Sequence, residues 1–167
     1  HRFLQMPLNH LGYTVDYADA QQPLPDSVFS DRYAGVVLSF SGYLPETRFR
    51  ALEQWLLARL DQGMPMALVG SFPMPMPHSR KLAQRWGLMT DTEPHPPLHA
   101  DSRHAMLGLE TKIPLPSTSH EMPRLTPTTK AQALVQVRDA RGQTYVPGAL
   151  MPWGGYILKP YTIIEIP

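Results

Sequence analysis

The sequence predicts an α/β layered sheet, and three observations carry that prediction. The runs YAGVVLSF (Tyr33–Phe40) and PMALVGSF (Pro65–Phe72) are continuous, apolar and partly β-branched, as strands buried on both faces are. Between them Phe49, Leu52, Trp55, Leu56 and Leu60 recur at helical spacing and form one apolar stripe. After the second run, HSRKLAQRWGL (His78–Leu88) reads as another helix. Apolar strands alternating with helices are the pattern of a parallel, layered sheet.

Phe3, Leu4, Pro7, Leu8 and Leu11 predict an opening helix that Gly12 closes, with Pro7 setting its first turn or kinking it. TVDYADA (Thr14–Ala20) alternates and predicts a strand. SGYLPE is a turn, and Pro45 suits the first turn of the central helix, which Gly63 ends. Gly87 closes the helix after it. No strand precedes the first helix, an order expected of a piece cut from a larger protein.

Beyond Leu88 the character changes. Proline accounts for 19 of 167 residues, about double the usual share of roughly 5%. The prolines gather in Pro65–Pro77, Pro94–Pro127 and Pro147–Pro167. LGLETKIP (Leu107–Pro114) predicts a short strand, Ala133–Leu150 a hairpin turning at Asp139–Gly142, and GGYILKPYTIIEI a last strand with Tyr156, Leu158, Ile163 and Ile166 inward. The expectation is one domain over residues 1–167, with an α/β core at 1–88 and a loop-rich, β-hairpin part at 89–167.

Charge narrows the function. A net charge of +1 with dispersed Lys and Arg offers no footprint for nucleic acid. No apolar stretch approaches the ~20 residues of a membrane span. The chain has no cysteine, which removes thiol catalysis, disulfides and Cys-ligated zinc.

Four groups of residues are candidates for chemistry. VGSFP places Ser71 at a strand end where a nucleophile elbow would sit, but Phe72 and Pro73 are bulky and Pro73 has no N–H for an oxyanion. The other reading is a strand end stiffened by proline. In EPHPPLHADSRH, His95, His99 and His104 with Asp101 are candidate metal ligands; a solvated loop is the alternative. Met74 and Met76 alternate with prolines and suit a cleft wall or a partner surface, or else plain packing, whereas Met64 and Met66 read as core. MPWGGYILKPY offers Trp153 and Tyr156 as stacking platforms beside two glycines that permit close approach, or else a β-bulge with a packed Trp.

Residues 2–88 resemble a class I glutamine amidotransferase-like, flavodoxin-like domain. LNHLGYTVDYADA resembles that family's first helix and second strand, DRYAGVVLSFSGYLPE its third strand and glycine-bearing turn, and PMALVGSF falls where the family carries its cysteine elbow. DRYAGVVLSF together with WGGYILKPY further resembles the central domain of PelA-type proteins, which modify the exopolysaccharide Pel and carry glycoside hydrolase and polysaccharide deacetylase domains.

The resemblance implies a flavodoxin-like, three-layer sheet with C-terminal β-hairpin additions in a periplasmic, biofilm-related protein. It implies as partners a polysaccharide or oligosaccharide, neighbouring domains of the same chain and other exopolysaccharide-synthesis proteins. Gly70 or Ser71 stands at the cysteine's position, so the family's thioester chemistry is not expected here. His120–Glu121, adjacent in a loop, does not supply the family's His and Glu pair. The domain is therefore expected to bind sugar or act as a scaffold, with Ser41, Gly42, Tyr43, Ser71, Phe72, Trp153 and Tyr156 as ligand-binding candidates and no cofactor. A hydrolase using Ser71 or a metal held by His95, His99 and His104 is the alternative. A flavin-binding reading would need a phosphate-cradling loop after a first strand, which this sequence does not contain.

Overall fold

A computed structural model describes residues 4–28, 31–40, 44–70, 80–90, 97–102, 113–114, 123–125, 130–139 and 141–158. They form an α/β fold around one mixed, open sheet. In chain order the elements are α1 (Gln5–His10), β1 (Val36–Phe40), α2 (Glu46–Asp61), β2 (Met66–Gly70), α3 (Arg80–Arg85), β3 (Leu88–Thr90), β4 (Pro97–Ser102), β5 (Ile113–Pro114), β6 (Pro123–Leu125), β7 (Gln132–Asp139), β8 (Thr144–Met151) and β9 (Gly154–Leu158). The main sheet runs β1-β2-β9-β8-β7-β4-β5, and β3 pairs with β6 in a separate antiparallel ribbon.

The sheet has two halves of different character. β1, β2 and β9 are parallel, in the register Leu38↔Leu68↔Tyr156. From β9 to β5 every pairing is antiparallel. The C-terminal part is thus not an appendage: the last described strand, β9, lies in the middle of the sheet. Its place depends on glycine. A Cβ on Gly154 would sit 2.0 Å from the Met66 carbonyl oxygen, and one on Gly155 2.6 Å from that of Ala149.

The helical stripe performs as its spacing predicts. Phe49, Leu52, Leu56 and Leu60 are buried, and with Leu38, Met66, Leu68, Ala149, Met151 and Tyr156 they form the main core. α3 adds Leu82, Ala83 and Trp86 to the same cluster. α2 and α3 therefore cover one face of the sheet. Glu53 of α2 ties them together by accepting the Leu82 N–H at 3.0 Å, a donor that the first turn of α3 leaves without an intrahelical partner. On the opposite face Leu134, Val135, Val137 and Tyr145 form a second cluster with Ile157. Around β1 that face is open: Val37 is 42% exposed and Ser39 is exposed.

Two expectations are corrected. Thr14–Ala20 is not a strand: it has no sheet partner, and its only half-buried residues are Val15 and Ala20. The chain instead runs beside α2, where Trp55 Nε1 donates to Pro25 O at 3.0 Å and Arg59 Nη2 to Asp26 O at 3.0 Å. α1 likewise buries no residue, so nothing holds this alternating segment at a sheet edge. The second correction concerns residues 97–102, read as solvated loop. They form β4, antiparallel to β7, because backbone pairing with a long strand outweighs the weak strand propensity of Pro, His and Asp.

The predicted hairpin is present as β7 and β8, with two compensating irregularities in its ladder. One of them spans Val146 and Pro147 between the pairs Val137↔Tyr145 and Val135↔Gly148. A bulge is where a strand tolerates proline, since no ladder N–H is required there.

Tyr156 sits at the centre of the main core, 2% exposed, and donates to Val146 O at 3.2 Å. Burial pushes its phenol pKa up. The folded protein thus holds the neutral phenol, while the unfolded chain titrates near 10. This term leaves stability unchanged below about pH 10 and lowers it as pH rises beyond that value. Tyr156→Phe is expected to lose about 0.5–1.5 kcal/mol at neutral pH and to show a flatter decline in alkali than the parent. Urea unfolding over a series of alkaline pH values measures both.

Candidate functional site

The parallel strands β1, β2 and β9 end level with one another. Phe40 pairs with Gly70, and Gly70 with Leu158. In α/β sheets the carboxyl ends of parallel strands form the rim where ligands bind, because the chain leaves the sheet there and loops supply the side chains. Gly70, the last residue of β2, carries φ +107, a left-handed value that glycine adopts without strain. Leu44 is buried just ahead of α2, and Glu53 accepts the Leu82 N–H in the first turn of α3.

Ser41, Gly42 and Tyr43 follow directly on β1, and Ser71 and Phe72 on β2. All five lie outside the described residues, as do Met74, Met76, His78, His120 and Glu121. What the described register contributes is that the strand ends carrying these two groups are neighbours, because β1 and β2 pair along their full lengths.

Trp153 and Tyr156 do not join that rim. Trp153 precedes β9, and its carbonyl accepts the Met66 N–H at 3.2 Å, so it stands at the amino ends of β2 and β9. The five-residue strand Gly154–Leu158 follows it, so Leu158 lies five steps away, about 16 Å at 3.3 Å per step. Its ring packs on Trp86 with centroids 5.2 Å apart and planes tilted by 31°. Tyr156 faces α2 and α3 in the core. The two glycines between these aromatics admit strand backbone, as the Met66 and Ala149 contacts show.

The histidine group is only partly described. His99 lies in β4 and registers with Pro114 on one side and Arg138 on the other. His95 and His104 lie outside the described residues. Among the described residues no three His, Asp or Glu side chains converge as a metal site would require, and no helix is long and apolar enough to cross a membrane.

An open groove of about 170 Å³ lies elsewhere, between α2 and the turn and following residues at 20–24. Arg48, Ala51, Leu52 and Trp55 form its α2 wall, and Gln22, Pro23 and Leu24 face them. Sequence reading missed it because Trp55 was absorbed into the core stripe. The available signal was an Arg and a Trp two helical turns apart with a small residue, Ala51, between them.

Comparison with protein-family models finds no match to this chain, and no curated protein matches it either.

Proposed function

We propose that this chain is a non-catalytic, class I amidotransferase-like domain of flavodoxin-like descent, working within a periplasmic polysaccharide-modifying protein of the PelA type. There it binds carbohydrate at the carboxyl rim of β1, β2 and β9 and positions neighbouring hydrolase or deacetylase domains during assembly of an exopolysaccharide matrix. One observation carries this reading. β2 ends at Gly70 with φ +107, level with the ends of its two parallel neighbours, and the resemblance sets this strand end against the cysteine elbow of amidotransferase-like domains, whereas this chain contains no cysteine. A corner of that kind without a thiol cannot form a glutamyl thioester. It retains a rim suited to weak, reversible recognition.

Isothermal titration with amino-sugar oligosaccharides tests the proposal. Saturable binding is expected, weakened by Tyr43→Ala and left largely intact by Trp153→Ala, because Trp153 stands at the opposite strand ends. Absence of binding to acetylated and deacetylated oligomers alike would remove the carbohydrate role. Covalent labelling of Ser71 by a fluorophosphonate would replace the whole reading with a serine hydrolase.

A further inference from the structure

The groove beside α2 has the attributes of a binding site in its own right. Its volume is about 170 Å³, and it is open to solvent on one side, where Gln22, Pro23, Arg48 and Ala51 are exposed. Pro23, Leu24, Leu52 and Trp55 give it apolar walls. Trp55 is held in place by its Nε1–H bond to Pro25 O, and the Arg59 guanidinium lies 5.2 Å from its ring centroid. The polar side chains are Arg48 and Gln22, and no acidic residue lines the space. Two residues along the helix, Arg50 is engaged by Glu46 at 2.6 Å; Arg48 makes no ion pair among the described residues. An open apolar groove for one ring, with Arg48 at its edge and no acidic residue in its lining, is complementary to a ring that carries a single negative charge. Guanidinium geometry favours a planar, bidentate carboxylate.

We propose that this groove binds a single six-membered ring bearing a carboxylate, with the carboxylate on Arg48 and Gln22 and the ring against Trp55 and Leu24. The site is separate from the strand-end rim and does not depend on its function. Aromatic acids and hexuronates share this chemistry, and benzoate and glucuronate represent the two sources. For a ligand of this size an affinity on the order of 1 mM is expected.

The test is a titration of the ¹⁵N-labelled chain, following the Trp55 indole N–H. A saturable shift with benzoate alone assigns an aromatic acid, with glucuronate alone a hexuronate, and with both a ring carboxylate in general. Benzamide, which has the ring without the charge, is expected to bind about tenfold more weakly or worse, and Arg48→Gln to weaken the carboxylate by a similar factor, the loss of one charge-assisted hydrogen bond. Because Arg48 is exposed, this variant keeps the fold, which an unchanged thermal midpoint verifies. Ala51→Leu fills the groove and is expected to abolish the shift. No saturable shift with either acid up to about 10 mM, or equal affinity for benzamide and benzoate, overturns the proposal.

Discussion

Gly154→Ala is expected to destabilise the protein by about 4–5 kcal/mol, the upper end of what single substitutions do. Two effects combine. At φ +139 any residue with a Cβ is strained, a cost of about 1–3 kcal/mol. The new methyl would also lie 2.0 Å from the Met66 carbonyl oxygen, and β2 could relieve that contact only by separating from β9. Gly63→Ala is the matched control. It too has positive φ, +78, but no atom lies within 4 Å of the added carbon, so it should cost only about 1 kcal/mol. Urea denaturation of the two variants separates backbone strain from steric exclusion. Equal losses would mean that the approach of β9 to β2 is not what Gly154 provides.

Trp86→Ala is expected to cost about 3–5 kcal/mol, which lowers the thermal midpoint by roughly 6–20 °C in a chain of this length. Trp86 is fully buried, closes α3 against the main core and stacks on Trp153. Trp86→Phe keeps an aromatic face and should lose clearly less. A double-mutant cycle with Trp153→Ala should give a coupling of about 0.5–1.5 kcal/mol, the range for an aromatic pair. A coupling near zero would show the two rings to be neighbours without being partners.

The legible part of the fold was the part governed by local periodicity. Phe49, Leu52, Leu56 and Leu60 announced α2 and its buried face by spacing alone. Gly12, Gly63 and Gly87 marked chain reversals, and all three adopt positive φ. The alternation from Ala133 to Leu150 announced the hairpin. The failures share a cause. Thr14–Ala20 carries a strand's alternation, but a strand needs a neighbour to bond, and no pattern within seven residues states whether one is present. Pro97–Ser102 is the reverse case: poor strand residues recruited by β7.

Of the candidate site, the corner at Gly70 and its adjacency to the end of β1 were foreseen in MALVGSF and VVLSF. Trp153, counted with the strand-end residues among the ligand-binding candidates, stands apart from them because of strand direction. Trp153 stands before β9, and in a parallel set residues before and after a strand belong to opposite edges. Gly154 and Gly155 were read rightly as licensing close approach; what approaches is a carbonyl of the next strand.

The central position of β9 has a bearing on how the chain acquires its structure. Met66 finds its partner, Gly154, far along the chain, so the parallel half keeps a bare flank until β9 is in place. Closure is a long-range event whose entropic cost precedes its reward. Inserting β9 between β2 and β8 joins the parallel and antiparallel halves into one continuous hydrogen-bonded sheet.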